Sequence, residues 1–228
     1  MSITTNILQR TFRLRHNNQT GTCFTIDVDN RQYIVTARHL VETISDNGNL
    51  ELLHDNVWKV LPVRVVGHGT GDIDISVVSA DLRLSPTHPL PATTAGIILA
   101  QDAYFLGFPY GLANDAGELN RNFPLPLVKK GIVSAVGSRD DNTVILDGHN
   151  NFGFSGGPVV CHIADRNNEL TVIGVVSGYR SDSMSVLHNG KETELTYQYN
   201  TGLVIVYKIN LAIELINANP IGVELETE

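Results

Sequence analysis

Apolar side chains return at every second position in short runs along most of this chain, and a period of two is the signature of a half-buried strand. Phe24, Ile26 and Val28 alternate with Thr25 and Asp27. The runs at 33–36, 63–66, 73–78, 104–106, 132–136, 143–146, 159–162, 172–176 and 203–207 read the same way. Turn residues break them at Asp29-Asn30, 67–71 and 140–142, the rhythm that sandwiches and barrels require. The chain is therefore expected to be all-β. Short strands leave open edges unless the sheets close, so closure into barrels is expected. Ser85-Pro86-Thr87-His88-Pro89-Leu90-Pro91 cannot donate a regular ladder and reads as a connector. The division predicted is a first barrel over 1–84, a connector over 85–96, and a second barrel over 97–207. Residues 208–228 add a short helix, capped by Asn210 and ended before Pro220, and a loose acidic tail.

With 228 residues and a 42% hydrophobic fraction, the chain is long enough for one compact domain of two similar halves. The formal charge of −8, without a dense Lys/Arg run, argues against nucleic acid or an anionic membrane as partner. No run approaches about 18 apolar residues, so no spanning helix is expected. The N-terminal stretch lacks the apolar core and small-residue cleavage site of a signal peptide. Cys23 and Cys161, far apart in sequence, are expected as free buried thiols in a cytoplasmic protein.

Three strings carry chemistry. In Asn151-Phe152-Gly153-Phe154-Ser155-Gly156-Gly157-Pro158 a serine sits among glycines just before an apolar strand. Glycine there permits positive φ and close approach of a substrate. Acyl transfer needs such an exposed hydroxyl, with backbone N–H groups aimed at the developing oxyanion. In Ile34-Val35-Thr36-Ala37-Arg38-His39 a histidine closes an apolar strand and could supply the base that a serine nucleophile needs. Gly71-Asp72-Ile73-Asp74-Ile75-Ser76 offers two carboxylates on one strand face to orient that base. Taken singly, each has a plainer reading: a glycine-rich turn, a structural histidine, a solvated strand face.

Together and in this order the strings resemble the trypsin-like (chymotrypsin-fold) serine peptidases over nearly the whole chain. Thr-Ala-x-His matches the family's histidine motif at His39, and Asp-Ile-Ser-Val-Val its acid strand, which selects Asp74 over Asp72. Gly-Phe-Ser-Gly-Gly-Pro matches the nucleophile motif at Ser155. Tyr104 to Pro109 and Gly131 to Ala135 look like segments of the Deg-type branch. The resemblance implies two antiparallel six-stranded β-barrels packed side by side. It implies an endopeptidase with the triad His39, Asp74 and Ser155 and an oxyanion hole from the N–H groups of Gly153 and Ser155. The substrate is a polypeptide, with no metal or organic cofactor, and a regulatory protein partner is open. The pocket for the residue on the acyl side of the scissile bond (P1) is implied at His149, Phe152, Ser177, Gly178, Tyr179 and Gly202.

The departures from the pattern are informative. An acid that pairs with a freed N-terminus in trypsins is replaced by Phe154, so zymogen activation of that type is not expected. Only a short helix and tail follow the second barrel, so no PDZ domain is expected. His149 stands where a trypsin has an acid, which removes the basis for Arg/Lys specificity. Tyr179 narrowing the entrance favours a small or medium apolar P1 residue, while His149 could instead face an acidic one. The rival is a catalytically silent pseudo-protease that uses the same barrels to bind peptide or protein.

Overall fold

Thr11–His16 (β1), Gln19–Val28 (β2) and Arg31–Thr36 (β3) form a meander whose turns are Asn17-Asn18 and Asp29-Asn30. All four turn residues have φ between 45° and 66°, the left-handed geometry of two-residue hairpins. Asn47–His54 (β4) and Val57–His68 (β5) form a second hairpin, and Ser76–Ser79 (β6) returns to β3. In this computed structural model, which describes residues 3–86, 88, 90–137, 142–163 and 169–225, the order β3-β2-β1-β4-β5-β6 closes through the β3–β6 pairing. Asp102–Gly107 (β7), Leu127–Val136 (β8), Thr143–Asp147 (β9), Pro158–Ile163 (β10), Glu169–His188 (β11) and Lys191–Lys208 (β12) close a second, antiparallel barrel. Two six-stranded barrels are what the alternation and the motifs predicted.

Several details differ from the sequence reading. The strand expected over 73–78 is only Ser76–Ser79, leaving Asp74 in the preceding loop. Strands β11 and β12 run for 20 and 18 residues, far past the barrel, joined by a tight turn at Asn189-Gly190. The turn expected at 140–142 lies largely outside the described residues, as do Thr87 and Pro89 of the connector. The tail is not loose up to Leu225: Val223–Glu224 (β13) pairs with β3 opposite Gln32 and Arg31, extending the edge that β6 leaves uncovered. The C-terminal helix (Asn210–Ala218) is capped by Ile209 without a side-chain bond. Asn210 serves elsewhere, its Oδ1 accepting from the amide and hydroxyl of Thr94 in the inter-barrel segment.

Apolar burial is divided three ways. One cluster, with Phe12, Leu14, Leu50 and Val78, fills the first barrel, and another, with Phe105, Leu146, Phe154 and Ile173, fills the second. A third joins the barrels through Phe24, Val35, Val77, Leu106, Val160 and Val175 and takes in Ile209, Ala212 and Ile216 from the helix region. Each such side chain contributes roughly 1.5–3 kcal/mol when fully buried. The inter-barrel segment is held by Arg10, fully buried, which donates to both oxygens of Asp27 and to the carbonyls of Pro86 and His88. No helix among the described residues is long and apolar enough to cross a membrane.

Cys23 lies in the first barrel's core and Cys161 in the second's, both unbridged. Burial pushes the Cys23 thiol up, and burial with the charge of Asp102 pushes Cys161 up to about 12. Both should stay protonated, since only the thiolate reacts readily. Without reductant, a maleimide should therefore react slowly with native protein and titrate both thiols once the chain is denatured. Failure to find both in the denatured chain would mean they are oxidised.

Candidate active site

His39 reaches the site because β3 stops at Thr36 and one turn of helix, Arg38–Val41, begins after Ala37. Arg38 donates to the Gly69 carbonyl at 2.7 Å, tying this turn to the loop that carries Asp74. That loop is closed by the Gly69 amide on the Ile75 carbonyl and the Ile73 amide on the Thr70 carbonyl. Asp74 then grips His39 at two points. Its Oδ1 accepts from the His39 backbone N–H and its Oδ2 from the ring Nδ1–H, each at 2.8 Å. Oδ2 also accepts from the Ser177 hydroxyl at 2.6 Å. Burial pushes the Asp74 carboxyl up. The bonds from the His39 ring, Ser177 and the His39 amide, with the His39 charge, outweigh it and hold the group below the usual carboxylate range. Asp72 makes no such contact with His39; its carbonyl accepts the hydroxyl of Tyr207 from the other barrel.

The Ser155 loop precedes β10 and is bent at two glycines that leave no room for a side chain. Gly153 and Gly156 have φ of +105° and +83°. A Cβ on Gly153 would collide with the Phe108 carbonyl, and one on Gly156 with the Thr22 carbonyl and Thr36 hydroxyl. Thr22 holds the loop from the first barrel: its amide donates to the Ser155 carbonyl at 2.9 Å, and its hydroxyl to the Gly153 carbonyl at 2.7 Å. The Phe152 carbonyl accepts from the Tyr110 amide at 2.9 Å. With those carbonyls engaged, the amides of Gly153 and Ser155 donate to no acceptor among the described residues. Phe154, fully buried, packs edge-on to Phe105 at 5.1 Å, so apolar contact anchors the loop where trypsins use an ion pair.

The Ser155 hydroxyl donates to the Ser177 carbonyl at 2.9 Å rather than to His39. Both side chains border one cavity of about 390 Å³. Phe152, Ser177, Gly178 and Tyr179 also border it, whereas His149 and Gly202 do not. The His149 carbonyl instead accepts from Lys129, and Gly202 donates its amide to Asn200. The lining that sequence reasoning missed is Asn150, Asn151, Ser181, Gln198, Tyr199 and Asn200. The first two adjoin the recognised motif; the rest sit on the long hairpin, announced only by Asn189-Gly190 and the alternation Leu195, Tyr197, Tyr199. The cavity is thus richer in amides than an apolar P1 pocket requires. Among the described residues no three His, Cys, Asp or Glu side chains converge as a metal site would need.

The sequence profile of the trypsin-like peptidase domain matches residues 21–175. The chain belongs to that family. No curated protein matches it in sequence. Its peptidase fold is similar to that of the HtrA-type protease AlgW with tripeptide, at TM-score 0.61 and 17% identity over 94% of this chain and 61% of that one. It is similar to the inactive form of Rv3671c protease from M. tuberculosis, at 0.57 and 16% over 93% and 90% of the two chains. The serine endoprotease from Yersinia pestis scores 0.61 at 16% identity, covering 95% of this chain and 67% of that one. The domain thus spans about three fifths of the AlgW chain.

Thr22→Val should test the clamp, because it removes the hydroxyl bond to Gly153 while keeping the backbone bond to Ser155. The Gly153 carbonyl keeps only the longer bond from the Phe108 amide at 3.4 Å, so the lost bond should cost about 0.5–1.5 kcal/mol of stability, and loop displacement should lower kcat about 10–100-fold with KM little changed. A variant with wild-type kcat would show that the clamp does not position the nucleophile.

Proposed function

We propose that this domain cleaves peptide bonds through a covalent acyl-enzyme, with Ser155 as nucleophile, His39 as base and Asp74 as the group that orients the base. The observation that carries the reading is the two-point grip of Asp74 on His39 beside a serine loop with two undonated amides. A grip through Nδ1–H fixes the tautomer in which Nε2 is free to accept a proton. The Ser155 hydroxyl turns from the Ser177 carbonyl toward Nε2 when a peptide carbonyl enters, and Oγ attacks as its proton passes to His39. The imidazolium formed is stabilised by Asp74, and the oxyanion by the N–H groups of Gly153 and Ser155, each worth roughly 3–4 kcal/mol in related sites. His39 then gives its proton to the departing amine. Water repeats the sequence to release the acid.

The ring contact of Phe152 with Tyr179 at 6.2 Å supports a narrow entrance and a P1 residue of small or medium size. Unbridged Cys23 and Cys161 are compatible with a reducing compartment such as the cytoplasm. A second reading, a binding module of the same fold, is favoured by one observation, the Ser155 hydroxyl bound to Ser177 instead of His39.

A fluorophosphonate probe separates the two. Wild-type protein should be labelled at Ser155, and Ser155→Ala should lose both labelling and peptide cleavage. His39→Ala should cost about as much, on the order of 10⁶-fold in kcat by analogy with measured triads. Asp74→Asn should cost roughly 10³–10⁴-fold and Asp72→Asn little. Folded wild-type protein that resists the probe would favour the binding module.

A further inference from the structure

The cavity beside Ser155 has a rigidly held amide donor in its wall. Asn150 borders the cavity yet is only 2% exposed. Its orientation is set by hydrogen bonding: the Asn151 amide donates to Asn150 Oδ1 at 2.8 Å, so Nδ2 must lie on the other side. That NH₂ donates to no acceptor among the described residues and is not one of the enclosed side-chain atoms left unpaired, so it keeps an open face toward the cavity. The position is rigid as well. Asn200 Nδ2 donates to the Asn150 carbonyl at 2.7 Å, and Asn200 is itself fixed by the Gly202 amide on its Oδ1 at 2.9 Å. The loop before Ser155 and strand β12 therefore hold this donor still at the cavity wall.

We infer that Asn150 is a specificity-determining donor and that the cavity takes a P1 side chain ending in an oxygen acceptor, a carboxamide or carboxylate of the glutamine or glutamate kind. This rests on the peptidase reading and names its substrate class. The alternatives fit the lining less well. A basic P1 side chain meets no carboxylate, since the lining residues include neither Asp nor Glu. An apolar one strips water from the Asn150 NH₂ without replacing it, the situation in which polar pockets reject apolar analogues. Behind the same segment Lys129 donates to the His149 carbonyl at 2.6 Å and to Asn151 Oδ1, adding positive potential suited to an oxygen-rich side chain.

Matched fluorogenic peptides differing only at P1 (Gln, Glu, Met, Leu, Lys) test this on wild-type protein first shown to label with a fluorophosphonate. Failure to label would count against the peptidase reading; the P1 ratios bear on the inference alone. Gln or Glu should exceed the isosteric Met by at least about 100-fold in kcat/KM. Gln ahead of Glu identifies a carboxamide, and Glu ahead of Gln a carboxylate assisted by Lys129. Asn150→Ala should bring the Gln/Met and Glu/Met ratios to within about tenfold of unity. Asn150→Asp keeps an acceptor for the Asn151 amide, so it guards against misfolding of the first variant. It should turn the preference from Glu toward Lys. A wild-type preference for Met or Leu, or unchanged ratios in both variants, would overturn the inference.

Discussion

Thr22 sits in the first barrel and makes both of its donor bonds to the second, from its amide to the Ser155 carbonyl and from its hydroxyl to the Gly153 carbonyl. Its own carbonyl accepts the hydroxyl of Thr36, whose strand leads directly into the turn bearing His39. One residue thus links the turn that carries His39 to the loop that carries Ser155, and the geometry of each depends on the other barrel being in place. The apolar layer between the barrels gives the association its strength, but it is non-directional. Directional hydrogen bonds at Thr22 convert that association into a fixed loop. The close approach leaves no room for a side chain at Gly156.

The Asp74–His39 pair shows the same division of labour in smaller form. Asp74 accepts from the backbone and ring of His39 in its own barrel and from Ser177 in the other. The three bonds keep a mostly buried carboxylate ionised against the cost of its burial. Sign and window follow from that lowering. The stability Asp74 contributes is complete above the unfolded carboxyl value of about 3.9 and is lost as pH falls through the lower folded value.

Much of this was legible from period and motif. Alternation at 24–28 marked a core strand in which Phe24 and Ile26 are buried, whereas the run at 132–136 buries only Val133 and that at 172–176 is buried on both faces. The three strings pointed to His39, Asp74 and Ser155 as one set, and the fold places Asp74 against His39 and both His39 and Ser155 on one cavity. What stayed hidden has physical reasons. The outer parts of β11 and β12 are exposed and largely polar, so only the short alternation Leu195, Tyr197, Tyr199 and the Asn189-Gly190 turn, left-handed at both residues, signalled them. Asp74 lies in a loop because β6 begins only at Ser76, a boundary set by pairing with β3 rather than by local pattern. Pairing of Val223–Glu224 with β3 depends on a vacancy created some 150 residues earlier in the chain by the shortness of β6, which no local reading reveals. Asn150 escaped notice for a similar reason: adjacency to Ser155 in sequence does not disclose a hydrogen bond from Asn200.

The central claim is that the two barrels hold Ser155 between a pre-set base and two ready amides. The most direct measurement is a crystal structure of the domain inactivated by a phosphonate. The phosphorus should be bonded to Ser155 Oγ, with one phosphonyl oxygen about 2.7–3.1 Å from the amides of both Gly153 and Ser155. Both Thr22 bonds and the Asp74–His39 grip should be unchanged. An adduct in which the Gly153 amide points away, or the loop has left Thr22, would contradict it.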